Sequence, residues 1–257
     1  MNQKSVAAGL LLGLVVLCGC ESARYEPPQA LSNDAPSVPP PTLSLNEVQI
    51  LERAVNQPPA TLDGDNWRAL FDGRTLAGWQ AIDFGGKARV EARPGLIYMS
   101  RGEPFNGIRF TNDLPATDYE VSFEAMRVVG SDFFGSLTFP VRDSHCTLVV
   151  GGWGGGIVGL SSIDGADASE NETTNYLTFE GGRWYRIRLR VTAEKIEAWV
   201  EQKKVVNVTT IGRKVALRFG EIDLSKPFGI TCWDTAAAVR EIKVRPITTS
   251  DSPAERY

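Results

Sequence analysis

From Trp67 to the end of the sequence, apolar and polar residues alternate with a period of two, run after run, and no helical period intervenes. Tyr119, Val121, Phe123 and Ala125 alternate with Glu120, Ser122 and Glu124. Tyr185, Ile187, Leu189 and Val191 alternate with Arg186, Arg188 and Arg190, and Ile196, Ala198 and Val200 with Glu197, Trp199 and Glu201. Ile242 and Val244 close the series between Glu241, Lys243 and Arg245. Such alternation turns one face of each strand toward a core and the other toward water. Shorter apolar runs at 107–110, 148–150 and 228–232 predict further strands. Many short strands without intervening helices imply an antiparallel sandwich. An apolar content of 42% over 257 residues is enough for a core and excludes wholesale disorder. A formal net charge of −4 leaves no electrostatic footprint for nucleic acid, and a single histidine excludes a multi-His zinc site.

The N-terminus sets an address. Lys4 and the free amine precede an apolar stretch from Ala7 to Leu17, too short for the roughly 20 residues of a membrane span. Leu17-Cys18-Gly19-Cys20 resembles a bacterial lipobox. That resemblance implies a signal over 1–19, acylation of Cys20 and anchoring to a membrane of the cell envelope, with Glu21 fitting the outer-membrane, periplasm-facing pattern. The palmitoyl-type chains would come with the lipoprotein class. Residues 20–43 are rich in proline and polar residues and read as a tether reaching roughly 60 Å. Ser44 and Glu47 fit a capping box for a short helix over 44–57, with Val48, Leu51 and Val55 on one face and Pro58-Pro59 as its stop. The strand-rich domain is expected over 67–247, with a tail at 248–257.

Leu70-Phe71-Asp72-Gly73-Arg74-Thr75-Leu76-Ala77-Gly78-Trp79 is similar to the opening signature of the bacterial 3-keto-disaccharide hydrolase (3-keto-glucoside lyase/hydratase) domain family. The stretches 184–189, 196–200, 203–206, 228–230 and 239–244 resemble that family's later hairpins and closing strands, in a planctomycete-type branch. The resemblance implies an all-β, concanavalin A-like or laminin-G-like jelly-roll sandwich. It also implies a hydrolase or lyase acting on 3-keto-glycosides, with a carbohydrate or oxidised sugar as ligand. A ketone acidifies the neighbouring C–H, so a base can remove that proton and expel the glycosidic oxygen; the enolate then needs a metal or hydrogen-bond donors. The segment Gly130-Ser131-Asp132-Phe133-Phe134-Gly135 departs from the family's Asn-Ser-Gly-type pattern at the same place.

The residues themselves supply candidates. His145 is the sole histidine, a base or ligand if it meets Asp132 and otherwise a structural residue. Glu170 joins them as a catalytic carboxylate in the acidic loop 164–172, where Asp164 and Asp167 are the candidate oxygen ligands for a divalent cation such as Ca²⁺. A plain solvated loop is the alternative there. Trp153, set among five glycines, Trp233 and Arg109 are the substrate-binding candidates, with a tight hairpin as the other reading of Trp153. Cys146 and Cys232 fit either a disulfide, allowed in an oxidising envelope, or two buried thiols. The arginine row 186, 188 and 190 is expected to pair with Glu197 and Glu201 on the next strand. Trp199 is either covered by another element or stacked on a sugar. The functional readings are thus an enzyme on 3-keto-glycosides, a non-catalytic carbohydrate-binding module, or an envelope interaction protein.

Overall fold

The alternating runs become strands, and the strands form two sheets facing each other across one apolar layer. The computed structural model describes residues 43–247. The signal, Cys20, the tether before Leu43 and the tail from residue 248 lie outside the described residues. Helix α1 (Leu45–Val55) comes first. The strands are β1 (Arg68–Ala69), β2 (Trp79–Ala81), β3 (Val90–Arg93), β4 (Leu96–Met99), β5 (Phe105–Phe110), β6 (Tyr119–Gly130), β7 (Ser136–Val141), β8 (Ser144–Gly152), β9 (Ile157–Ser161), β10 (Asn175–Tyr176), β11 (Trp184–Val191), β12 (Lys195–Val200), β13 (Lys203–Thr209), β14 (Phe228–Trp233) and β15 (Thr235–Pro246). A 3₁₀ turn, Glu221–Ser225, precedes β14.

One sheet runs β13-β12-β11-β6-β15-β4-β3, with β1 also on β15; the other runs β10-β9-β8-β7-β14-β5-β2. All pairings are antiparallel, which gives the jelly-roll-type sandwich expected. The inward residues are those in phase with the sequence pattern. Val121, Phe123, Ile187, Leu189 and Ile196 of the first sheet join Leu137, Phe139, Leu148, Val150 and Ile230 of the second in one core cluster. Burying each such side chain contributes about 1.5–3 kcal/mol.

Cys146 and Cys232 both lie in this core as free, buried thiols, so the bridge allowed by the sequence is not formed. The reason is topological. β7 lies between β8 and β14, so the two cysteines sit on strands two positions apart. Two strand spacings are about 9.6 Å, beyond the roughly 7 Å limit for a disulfide. Burial pushes both thiols up to about 12.

α1 forms with its capping box. Ser44 Oγ accepts from the Glu47 N–H at 3.2 Å, and Glu47 Oε2 accepts from the Ser44 N–H at 2.9 Å. The buried face is rotated from the one expected. Leu51 and Ala54 are buried and Val55 is exposed, because the helix packs on Tyr98, Met126 and Trp184. The Trp184 indole N–H donates to the Ala54 carbonyl at 3.2 Å, and the Tyr98 hydroxyl to Glu47 at 2.8 Å.

Helix and following segment together cover the outer face of the first sheet, which the sequence pattern alone assigns to solvent. Glu124 and Arg240 form a buried ion pair at 2.6 Å. Arg240 also donates to the Gln57 carbonyl at 2.7 Å, and the Ala60 N–H donates to Glu124 at 2.5 Å. Glu120 is held by Arg245 at 2.6 Å and by Arg188 at 3.3 Å. Of the arginine row, Arg188 finds its acid on β6; the Arg186 guanidinium donates to the Thr61 carbonyl and its backbone N–H to Glu201 at 3.1 Å, while Glu197 is taken by Lys204 at 2.6 Å. Trp199 is covered by cations: the Arg188 guanidinium lies 4.0 Å and the Lys204 ammonium 5.0 Å from its ring.

Removing one member of a buried pair leaves a bare charge, whereas an exposed pair contributes little. Glu124→Ala is expected to lower unfolding free energy by about 3–5 kcal/mol in chemical denaturation. Truncating Lys204 of the more exposed pair should cost less than about 1 kcal/mol. Equal losses at the two sites would contradict this account of the covered face.

Candidate functional site

The outer face of the second sheet is the one left open. β7 and β8 form a hairpin whose strands pair Thr138 with Thr147 and Leu137 with Leu148. Since Leu137, Cys146, Leu148 and Val150 point into the core, Ser136, Thr147 and Val149 point outward. They floor a groove of about 490 Å³. Phe105, Phe133 and Trp233 wall one side, Trp153 stands at one end, and Arg218 to Ile222 form a lip. Asp132, Ser161 and Asp167 supply its polar lining with Arg218 and Glu221.

The aromatic wall is self-packed. Phe105 meets Trp233 edge-on at 4.5 Å between centroids, stacks on Phe84 at 4.9 Å and lies 6.0 Å from Phe133. Trp153 is 44% exposed. Its φ of 50° is one that non-glycine residues rarely adopt. The turn around it closes through N–H bonds from Gly155 and Gly156 to the Gly152 carbonyl, both 3.2 Å. Gly151 and Gly155 are required by close approach as well as by φ. A Cβ on Gly151 would lie 2.8 Å from Arg127 Nη2, and one on Gly155 2.5 Å from the Ser131 carbonyl oxygen.

Arg127, which the sequence pattern did not single out, organises this end of the molecule. It occupies an inward position of β6, is 8% exposed, and lies 4.9 Å over the Phe134 ring. Its guanidinium donates to the carbonyls of Asp132 (3.0 and 3.2 Å), Gly155 (3.1 Å), Phe179 (3.4 Å) and Gly151 (3.5 Å). Burial draws its pKa below the ordinary arginine value, and the Asp132 charge partly opposes that. One side chain thus ties together the loops before β7, after β8 and before β11. A sequence signal existed: 119, 121, 123, 125 and 127 share one phase, and only the last is charged.

The carboxylates of the groove are also fixed. Asp132 accepts from the N–H groups of Phe133 and Gly154, both at 2.8 Å. Asp167 accepts from the Ser161 hydroxyl, from the Ala168 N–H at 2.8 Å, and pairs with Arg218 at 2.8 Å.

The predicted residues divide accordingly. Asp132, Trp153, Trp233 and Asp167 come together in the groove. His145 does not meet Asp132. It shares the outward phase of Thr147 but sits beside the β7–β8 hairpin tip, whereas Asp132 bonds to Gly154 past the far end of β8. Residues 145 to 152 of an extended strand span roughly 23 Å. Burial first, then the Lys226 charge, hold the imidazole below its ordinary pKa, with Asp223 opposing. Glu170 is exposed on a loop and does not line the groove. Arg109 lies outside it too, bound to Gln80 at 2.8 and 3.1 Å.

The cation site expected around Asp164 and Asp167 is not built. Arg213 bridges Asp164 and Glu172, and Asp167 is taken by Arg218 and Ser161. Guanidinium groups stand where a Ca²⁺ ion would need free oxygens. Among the described residues no three His, Cys, Asp or Glu side chains gather as a metal site. The residues sequence reasoning missed are Arg127, Phe105, Phe133 and the lip from Arg218 to Ile222.

Fold and site together define a two-sheet antiparallel sandwich with an aromatic-walled groove on one outer face. The sequence matches the 3-keto-alpha-glucoside-1,2-lyase-like domain over residues 66–245, and the chain belongs to that family. No curated protein matches it. Among solved structures it is similar to a protein of Parabacteroides distasonis assigned as a glycosyl hydrolase, at 10% identity and a TM-score of 0.45, covering 71% of this chain and 94% of that one. It is also similar to carbohydrate-binding module CBM66 of Bacillus subtilis, at 13% identity and 0.45, over 65% and 95% of the two chains. A third is domain 4 of the arabinanase AbnA of Geobacillus stearothermophilus, at 12% and 0.43, over 67% and 85%.

Replacing Arg127 by Met strands several buried carbonyls at once, a loss of about 2–4 kcal/mol. The Trp153 contribution to native fluorescence, isolated by subtracting a Trp153→Phe variant, should shift to the red. An unchanged Trp153 signal would mean that Arg127 does not hold that turn.

Proposed function

We propose that the groove binds a carbohydrate carrying a 3-keto group and cleaves its glycosidic bond by base-assisted elimination. The observation that carries this reading is the position of Asp132: a carboxylate fixed at the groove by two backbone N–H groups, between the Trp153 turn and the Phe105–Phe133–Trp233 wall, within a chain of this family. Asp132 takes the C2 proton next to the C3 ketone. The C–H pair forms the C2–C3 double bond as the carbonyl pair moves onto the C3 oxygen; the ketone then re-forms, the C2–C3 pair shifts to C1–C2, and the C1–O bond breaks with its pair on the leaving oxygen, which takes a proton from the Asp132 acid or water. The donors available to the C3 oxyanion are the hydroxyls of the groove floor, Ser136 and Thr147. Apolar rings exclude water and present flat faces to the sugar.

A non-catalytic sugar-binding module is the second reading. It is favoured by Asp132 itself, whose two oxygens already accept from the Phe133 and Gly154 N–H groups. The full chain, incubated with 3-keto-trehalose, decides between them. Release of glucose with an enone-type product is expected, and Asp132→Asn should lower kcat about 100-fold or more with binding changed little. Binding without turnover would establish the module instead.

Anchoring in the envelope through Cys20 is the matching proposal for location, supported by the lipobox-like residues 17–20. The mature chain should start at Cys20 and carry acyl mass. Finding an unacylated N-terminus by intact-mass measurement would remove the anchor.

A further inference from the structure

Asp132 lies in the loop between β6 and β7, yet both peptide groups that flank its Cα are held from the body of the sandwich. On the carbonyl side its oxygen accepts from the Arg127 guanidinium of β6. On the amide side its N–H donates to the Thr235 hydroxyl at 3.0 Å. Thr235 opens β15 and is fully buried. A buried hydroxyl needs a partner, and among the described residues the Thr235 side chain has this one.

The corner between β14 and β15 is shaped to present that hydroxyl. Asp234 is its single connecting residue, with a φ of 45°, and its N–H donates to the Pro104 carbonyl at 2.7 Å. Just before it, the Trp233 N–H donates to the Phe133 carbonyl at 3.0 Å. Residues 132 and 133 are thus hydrogen-bonded to 235 and 233, so one corner carries both the carboxylate and part of the aromatic wall. Register sets Thr235 opposite Gly130 of β6. A Cβ on Gly130 would lie 2.8 Å from the Thr235 hydroxyl oxygen and 2.7 Å from its Cα, so only glycine leaves the hydroxyl its place.

We infer that Thr235 is a positioning residue: its hydroxyl fixes the main chain of Asp132 so that the carboxylate meets the C2 proton of the sugar. This deepens the reading of Asp132 as the base and rests on it. Proton transfer demands hydrogen-bond reach, and a misplacement of about 1 Å can lower a rate about 100-fold. Valine has the shape of threonine with a methyl in place of the hydroxyl. That methyl cannot accept the Asp132 N–H, and 3.0 Å is closer than the roughly 3.5 Å of apolar contact, so residue 132 is pushed away by about half an ångström.

The test is steady-state turnover of 3-keto-trehalose by the full chain, with kcat counted per folded molecule and the folded fraction read from chemical denaturation. Thr235→Val should lower kcat about 10-fold and leave KM within about twofold. Thr235→Ala removes the acceptor without the close contact, should also lower kcat, and serves as the lesion if the valine variant does not fold. Thr235→Ser keeps the hydroxyl and should hold kcat within about twofold of wild type. A hydroxyl that serves stability alone changes the folded fraction and leaves kcat per folded molecule at its wild-type value. That result, or a serine variant as slow as the other two, overturns the assignment and leaves Asp132 as the base. A wild-type chain without turnover, or Asp132→Asn as active as wild type, removes the reading of Asp132 and this inference with it.

Discussion

β6 is buried on both faces along nearly its whole length, yet it carries Glu120, Glu124 and Arg127. A charge in such a place is tolerated only when paired or fully hydrogen-bonded, because desolvation otherwise outweighs any local gain. Each of the three therefore recruits a different part of the chain. Glu120 takes Arg188 and Arg245, which in turn cover Trp199 and Trp67. Glu124 takes Arg240 and the Ala60 N–H, which fastens the segment after α1 to the sheet. Arg127 takes four backbone carbonyl groups and shapes the loops of the groove. One strand's need for polar partners thus organises a covered face and an open end.

The open face follows from that asymmetry. The first sheet has its outer face occupied by α1 and the segment behind it, so among the described residues the broad sheet surface open to a ligand belongs to the second. There the floor is built of small hydroxyl and aliphatic side chains, the wall of aromatic rings, and the polar groups come from loops. Rigid strands set the floor; loops pinned by Arg127 and by the Arg218–Asp167 pair set the walls. Fixed polar groups on a fixed frame suit selective recognition of a polar ligand, since little ordering remains to be done on binding.

Much of the sandwich was legible because antiparallel strands declare themselves by alternation. Runs such as 119–125 and 185–191 fall inside β6 and β11 with the inward phase as read. What the period could not convey is what lies over the outward phase. Glu120 and Glu124 look like solvated residues until the N-terminal segment is folded over them. The pairing of His145 with Asp132 failed for a similar reason: both flank the β7–β8 hairpin, and antiparallel geometry sends them to opposite ends. The aromatic residues at 153 and 233, expected from the sequence to line one groove, do line the same groove. Phe219 was not legible as a site residue, because its loop has no period, and the lip is defined only by the distant Asp167.

The covered face also bears on where this domain begins. The family match opens at residue 66. The Glu124–Arg240 pair, however, is roofed by residues 54 to 60, and Trp184 donates its indole N–H to Ala54. Homology and cooperativity thus draw different borders. A fragment cut at the edge of family likeness would retain every strand of the sandwich and still expose a salt bridge and an indole that had been dry. The stretch of family likeness and the stretch that keeps this pair buried are, in this chain, two different lengths of polypeptide.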